Sequence, residues 1–409
     1  MQTQLADWAQ DTDFGREAEE ILRRCTHCGF CLSACPTYQI LGDELDSPRG
    51  RIYQMKQLLE GVEPTYVTQQ HLDRCLTCHA CETVCPSGVK YGELVDIGRQ
   101  VIADRVKRPW RERLLRTVLR RLMGSPAFKS LYGVGRWLRP VLPAALRAKI
   151  TVARAAGPLP RSRERHPRQV LMLANCVQPA MMPSIDAATL RVLDAVGVGA
   201  RYAAGSGCCG AINFHLDAQE AARDQMRRNV DAWLPLLESG AVEAVIVNAS
   251  GCGGMIKDYG RHLAHDPDYA ERAQRLMPYV KDIAEFLAPM AQELRAKMPS
   301  APGRCAFHAP CTLQHWQGLR VVTERLLRDL GFDLQDFAES QMCCGSAGTY
   351  SITQPELSLS LRDRKLKAIQ ETLPQTIVSA NIGCICHLQG GTETPVRHWI
   401  ESVDEAMRG

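Results

Sequence analysis

Eighteen of the 409 residues are cysteines, and eight of them form two copies of one spacing. Cys25-Thr-His-Cys28-Gly-Phe-Cys31-Leu-Ser-Ala-Cys35-Pro36 reads C-x2-C-x2-C-x3-C-P. Cys75-Leu-Thr-Cys78-His-Ala-Cys81-Glu-Thr-Val-Cys85-Pro86 repeats it, every cysteine displaced by 50. Three thiolates at such short spacing can wrap three corners of an iron–sulfur cube, and the fourth, just before proline, points away to the other cluster. The expected assignment is crossed: Cys25, Cys28, Cys31 and Cys85 for one 4Fe–4S cluster, Cys75, Cys78, Cys81 and Cys35 for the second. Zinc sites or unligated thiols fit this double pattern poorly. His27, His79 and Tyr38 lie close to these cysteines. Packing is the expected role of each, and cluster tuning the rarer one.

A second family of cysteines recurs in the C-terminal part. One copy runs Cys176, Gly207-Cys208-Cys209-Gly210, Asn248-Ala-Ser-Gly251-Cys252. The other runs Cys311, Cys343-Cys344-Gly345, Asn381-Ile-Gly383-Cys384-Ile-Cys386, with Cys305 and His308 nearby. Corresponding cysteines are separated by 135, 135 and 132 residues, which argues for duplication. Adjacent cysteines strain an ordinary disulfide and suit metal coordination better. Further iron–sulfur ligation by these nine cysteines is the first expectation; redox-active thiols and zinc are the alternatives.

The elements that must position these residues are legible in part. Ser47-Pro48 reads as an N-cap followed by a first-turn proline, Ile52, Met55, Leu58 and Leu59 keep helical spacing, and Gly61 and Pro64 stop the run. Thr68 is expected to cap a second helix leading into Cys75. Further on, Val170–Leu173, Ala244–Val247 and Thr376–Ser379 are short apolar runs of the kind buried parallel strands use, each ahead of a cysteine, with helical stretches between them such as 217–237 and 355–369. Ligand sites in open α/β sheets form beyond the carboxyl ends of strands, so the two copies are expected to face each other and pool thiolates there. The expected fold class is α plus α/β. Residues 1–100 form a helical ferredoxin-type domain, 101–168 a basic linker with short amphipathic helices, 169–300 the first Cys-Cys-Gly repeat and 301–409 the second.

Charge is uneven along this plan. The net charge is +4, but 18 Lys/Arg and 3 Asp/Glu fall between Val101 and Arg168. Gly124-Ser125-Pro126, Pro140, Pro143 and Gly157-Pro-Leu-Pro160 punctuate the stretch. Within it Leu114, Leu115, Val118, Leu119 and Leu122 share a helical face, with Arg113, Arg116 and Arg120 opposite. Two readings compete: a helix packed on a domain with its arginines in water, or a surface for an anionic membrane or acidic partner. Nucleic acid is not expected, because no recognition fold accompanies the charge. No apolar run reaches the ~20 residues of a spanning helix. The opening Met1-Gln-Thr-Gln-Leu-Ala-Asp-Trp has no basic or apolar leader segment, so a cytoplasmic location is expected. Gly205-Ser-Gly207-Cys-Cys-Gly210 matches a dinucleotide fingerprint literally, but the strand-to-helix context is not expected there. No flavin or nicotinamide site is expected on this chain, and no catalytic residue is assigned.

The chain resembles the iron–sulfur subunits of glycolate oxidase (glycolate dehydrogenase) over nearly its whole length. The resemblance lies in Cys25-Thr-His-Cys28-Gly-Phe-Cys31, Pro36-Thr-Tyr, Leu41-Gly-Asp-Glu-Leu-Asp46, Pro48-Arg-Gly-Arg-Ile-Tyr53, His71-Leu-Asp-Arg-Cys75-Leu-Thr-Cys78, Cys81-Glu-Thr, Cys85-Pro-Ser-Gly88 and both Cys-Cys-Gly repeats. A wider group with this cysteine framework includes iron–sulfur subunits of anaerobic glycerol-3-phosphate dehydrogenase, of lactate oxidation and of heterodisulfide reductase. The resemblance implies a multisubunit enzyme oxidising glycolate to glyoxylate. Flavin-binding partner subunits would perform the oxidation, and this chain would pass electrons towards membrane quinone from the cytoplasmic face of the inner membrane. Heterodisulfide reductase relatives end each repeat in C-x-x-C; here the first copy ends at Cys252 alone and the second has Cys384-Ile-Cys386.

Overall fold

The computed structural model describes residues 1–125, 127–141, 150, 154–160 and 166–409. Pro126 and Pro143, two of the expected linker breaks, lie outside these residues. The chain divides into two units: Met1–Thr117 with Gln341–Lys365, and Val118–Ser340 with Leu366–Gly409.

The first unit is helical, and capping residues set its helix starts. Thr12 accepts from the Gly15 amide at 3.1 Å to begin Asp13–Arg24, which delivers the chain to Cys25. Ser47 accepts from the Gly50 amide at 2.9 Å and Pro48 opens Pro48–Leu59, as the sequence predicts. The next helix, Tyr66–Asp73, starts at Thr65, one turn before the expected cap. Thr68 is the third residue of a capping box: Thr65 and Thr68 each accept the other's amide at 3.3 Å. This reciprocal arrangement satisfies two amide donors at once, which Thr68 capping alone cannot do. Ile52, Met55, Leu58 and Leu59 pack with Leu72, Leu94, Val95 and Ile102 in one core. The last three come from Tyr91–Arg105, which runs past the expected boundary at residue 100.

The amphipathic helix Trp110–Met123 does not pack its apolar face on a domain with its arginines in water. Leu119 is buried, but Leu114 is 55% exposed and Leu115 and Val118 are also exposed. Arg116 instead pairs with Asp73 at 3.3 Å, and Asp73 also takes the Arg108 guanidinium through both oxygens. Periodicity reveals a stripe, but a charged partner 43 positions earlier determines which side is covered. In the second unit, Ala127–Leu138 has no buried residue, and its Trp137 is 80% exposed.

The rest of the second unit is built on two four-stranded parallel sheets of identical topology. The first has order β2-β1-β3-β4 and the second β6-β5-β7-β8. Their strands are β1 (Arg168–Met172), β2 (Val198–Arg201), β3 (Val245–Val247), β4 (Val280–Asp282), β5 (Arg304–His308), β6 (Asp333–Leu334), β7 (Thr376–Ser379) and β8 (Val396–His398). The predicted strands appear as β1, β3 and β7, and the predicted helices as Gln219–Glu238 and Pro355–Gln370. The duplication is therefore visible in strand order as well as in cysteine spacing. The carboxyl ends of β3 and β7 meet: Ser250 N–H donates to Ala380 O at 3.0 Å, and the Ser250 and Thr312 hydroxyls are 2.8 Å apart. The helix Trp399–Arg408 after β8 crosses back onto Pro183–Ala195 of the first repeat. There Arg191 grips Asp404 through two bonds of 2.7 Å, and Ser184 donates to Glu401 at 2.6 Å.

Candidate functional site

The two C-x2-C-x2-C loops turn left-handed at matching positions. His27 and Gly29 in the first, and Thr77 and His79 in the second, take positive φ values of 57°, 85°, 50° and 57°. Each pair is offset by 50, as the cysteines are. Gly tolerates the left-handed region; His79 does not without support. Glu82 supplies it, meeting His79 Nδ1 at 3.0 Å and accepting the Gly92 amide at 2.5 Å. The short helices Phe30–Ala34 and Ala80–Thr83 then carry Cys31 and Cys81.

Cys25, Cys28, Cys31 and Cys85 line one small solvent-open cavity, together with Cys81, Arg49 and Tyr91. Burial pushes the Cys25 thiol up, with the charges of Cys85 and Cys28 adding to the rise. Burial pushes Cys31 up to about 11, Cys25 again adding. The other four, Cys35, Cys75, Cys78 and Cys81, are all buried. Burial drives Cys81 well above the usual thiol range, and the charges of Cys78, Cys75 and Cys35 push the same way. Cys75 is the exception. Burial raises it, but Arg51, Arg99, the Tyr91 hydroxyl and the Thr77 amide together outweigh burial and bring it down. Several donors aim at sulfur: Thr77 N–H to Cys75 Sγ at 3.4 Å, Tyr91 O–H to Cys75 Sγ at 3.5 Å, and Val89 N–H to Cys85 Sγ at 3.5 Å. Cysteines unlinked by disulfides, grouped and met by N–H and O–H donors, fit a thiolate-ligated iron–sulfur cluster.

Sequence reasoning missed a polar network behind the buried set. Arg51, 1% exposed, donates to Asp46 Oδ1 at 3.1 Å, His71 O at 2.7 Å and Thr37 Oγ1 at 3.1 Å. Thr37 Oγ1 is itself 3.3 Å from Cys35 Sγ. The signal was present: Arg51 stands one turn before Met55 in an otherwise apolar stripe.

In the first Cys-Cys-Gly repeat, Cys176 follows β1 and Cys208 and Cys209 follow β2. Cys252 lies in Ser250–Lys257, beyond β3. Cys176 and Cys208 Sγ are 3.3 Å apart. Hydrogen bonding with Cys176 and Cys209 brings the Cys208 thiol down, and hydrogen bonding with Cys208 and Cys252 pushes Cys209 up. The loop is held from behind. Asn229 accepts the Gly207 amide at 2.8 Å and donates to Cys208 O at 3.1 Å, and Tyr259 donates to Cys209 O at 2.9 Å. A strand and a short helix, β2 and Ala211–His215, do flank this glycine-rich segment, contrary to expectation. Its Gly207 amide is committed to Asn229, so that donor is taken. A second polar cluster fixes the approach to Cys176 and Cys252. Gln178 and Asn248 each donate to Asp186 Oδ1, at 2.7 and 2.9 Å, and Asn175 donates to Asn248 Oδ1 at 3.2 Å. Burial raises the Asp186 carboxyl despite these donors.

In the second repeat, Cys311 is buried beside the turn Thr312–Trp316, and Cys384 and Cys386 lie in Ile382–Gln389, capped by Asn381 through the Gly383 amide at 3.0 Å. Cys343 and Cys344 belong to the segment Gln341–Lys365 of the first unit. The Gly345 amide points to Cys343 Sγ at 3.4 Å. Both motif glycines, Gly210 and Gly345, are left-handed, with φ of 95° and 85°. Cys305 sits within β5, pushed up to about 12 by burial and by Asp333, among core residues.

The cysteine-rich domain family matches residues 170–257 and 305–389, and the 4Fe-4S dicluster domain family matches residues 21–89. The chain is 50% identical to the glycolate oxidase iron-sulfur subunit of Escherichia coli (strain K12), over all of this chain and 99% of that protein. It is 31% identical to the probable glycolate oxidase iron-sulfur subunit of Bacillus subtilis (strain 168), over 92% and 90% of the two chains. It is 26% identical to lactate utilization protein A of Geobacillus thermodenitrificans, over 54% of this chain and 90% of that protein.

Proposed function

Because the chain belongs to the glycolate oxidase iron–sulfur subunit family, we propose that it works within a complex oxidising glycolate to glyoxylate, taking electrons from flavin-binding partner subunits and passing them towards membrane quinone. Its own role is electron transfer, and it oxidises no substrate alone. The observation that carries this is the pairing of two ferredoxin-type loops with positive φ at matched positions, at an offset of 50 residues. The crossed sets would hold two 4Fe–4S clusters. Cys25 feels Cys85, and Cys81 feels Cys35, each across the two runs, which supports the crossing. A bound cluster supplies one-electron storage at near-fixed geometry. The chain's part is to hold thiolates, aim donors at sulfur and exclude water from the deeper set.

In the Cys-Cys-Gly region, Cys176, Cys208, Cys209 and Cys252 are the better-formed candidate for a further cluster, given their mutual hydrogen bonds. In the second copy Cys311, Cys384 and Cys386 are candidates on the second unit, and Cys343 and Cys344 are candidates on the first. Among the described residues no helix is long and apolar enough to cross a membrane. Peripheral association with the cytoplasmic face of the inner membrane would use exposed apolar faces such as Trp137 on Ala127–Leu138. The test is purification from the native host, with identification of co-purifying flavoproteins and assay on glycolate. Co-purification of flavoproteins oxidising lactate, but not glycolate, favours the second reading that the partial match to lactate utilization protein A supports.

A further inference from the structure

We propose that Arg51 is the buried counter-charge that makes the site of Cys35, Cys75, Cys78 and Cys81 the higher-potential of the two ferredoxin-type sites. The inference rests on the crossed reading above. One-electron reduction of a thiolate-bound cubane adds one negative charge to the site; the electron comes from the titrant or the upstream donor, and no bond to protein forms or breaks. A fixed cation nearby stabilises the reduced form more than the oxidised form, and so raises the potential.

The two sites differ in how such charge is presented. Arg51 is 1% exposed and reaches Cys35 through one hydroxyl: its Nη1 donates to Thr37 Oγ1 at 3.1 Å, which stands 3.3 Å from the sulfur. Asp46 offsets part of that charge, but it is shared with Arg74 at 2.8 Å and lies 3.1 Å from His71. Arg99 adds a second guanidinium, bonded to neutral acceptors: Cys75 O at 2.7 Å, Leu72 O at 2.8 Å and Thr77 Oγ1 at 2.8 Å. Tyr91 O–H points to Cys75 Sγ at 3.5 Å. Glu82 is the acid facing this set, and it is tied to His79 and the Gly92 amide.

At the other site Arg49 lines the cavity, but its side chain is one-third exposed and paired with Glu44 at 2.7 Å. The Met1 ammonium also stands there, donating to Cys25 O at 2.9 Å from the start of the chain, and is the cation the Arg51 pair must outweigh. Cys28 is exposed and Cys31 and Cys85 are half-buried. Water and salt, with a screening length of ~8 Å at physiological strength, weaken exposed charge far more than buried charge. The electrostatic advantage therefore belongs to the Arg51 side.

The test is a redox titration of the anaerobically reconstituted full chain, followed by electron paramagnetic resonance, with iron counted in each sample. Two ferredoxin-type transitions are expected. Arg51→Gln should move the higher one to lower potential and leave the lower one in place. Arg51→Lys should restore most of the shift. Tyr91→Phe, which removes only a hydroxyl, should move the same transition by less, and Cys35→Ser should abolish that transition. If Arg51→Gln loses its cluster, Thr37→Val decides, because it cuts the hydroxyl between Arg51 and Cys35 and should lower the same transition. No shift, a shift of the lower transition, or equal shifts of both overturn the inference. Too little iron for two clusters in the unmodified chain, or loss of the Cys25 cluster in Cys35→Ser, overturns the crossed reading instead.

Discussion

The sulfurs of Cys176 and Cys208 stand 3.3 Å apart across 32 residues of chain. Neighbouring strands achieve this: β1 and β2 pair in parallel, so the loops beyond their carboxyl ends emerge side by side. Serine is a poor substitute for a soft sulfur donor. Cys208→Ser is expected to lower the iron content of the full chain and to stop electron delivery to quinone, while both ferredoxin-type signals persist. Unchanged iron, with Cys176 and Cys208 titrating as free thiols, would instead favour disulfide chemistry at this loop.

The crossed assignment makes a paired prediction. Cys85→Ser should damage the cluster of Cys25, Cys28 and Cys31, and Cys35→Ser that of Cys75, Cys78 and Cys81. Spectra of the two variants should therefore lose complementary signals. Loss of the local cluster in each case would refute the crossing.

The motif glycines should differ in their tolerance of alanine. Both are left-handed, a cost of about 1–2 kcal/mol for a side chain. At Gly210 a Cβ would lie 3.2 Å from Ala222 O; at Gly345 it would lie 2.5 Å from Ser358 O and 2.9 Å from Leu361 Cβ. Overpacking adds roughly 1–3 kcal/mol, so Gly345→Ala should lose about 3 kcal/mol and Gly210→Ala nearer 1–2 kcal/mol. Urea midpoints of the two variants check the order; equal losses contradict it.

Two buried groups give stability opposite slopes with pH. Burial holds His398 down at about 3, and its Nδ1 accepts the Ile400 amide at 3.1 Å, which requires the neutral ring. Between pH 6.5 and about 3 the unfolded chain binds a proton there that the folded chain refuses, so acidification costs stability. Burial lifts Asp282 to about 7, despite the bond from the Ala284 amide. Between pH 3.8 and about 7 the folded chain holds the extra proton, so stability falls as pH rises. Asp282→Asn should therefore steepen the gain in stability from pH 4 to 7. Parallel denaturation profiles for variant and parent would rule this out.

What was legible in the sequence had local spacing. The two cysteine runs, the Ser47 cap and the strands before Cys176, Cys252 and Cys384 are patterns within a dozen residues. The Asn248–Asp186–Gln178 network joins positions 62 and 70 residues apart, and polar pairing at that range leaves no periodic trace. The side chosen by Trp110–Met123 depends on Asp73, and Arg51 was hidden because its neighbours, not its own type, mark the site as core. Thr68 shows a subtler limit: two threonines at capping-box spacing leave the first helical residue ambiguous until the amides are placed.

The grip of Arg191 on Asp404 has a consequence for how this chain can be divided. The helix bearing Asp404 closes the first repeat although it is encoded after the second. Cutting the gene between the copies would leave one half missing its cover and the other carrying a helix with no seat. The ancestral copies have become interlocked: neither can be inherited, lost or transplanted alone without opening the other's flank.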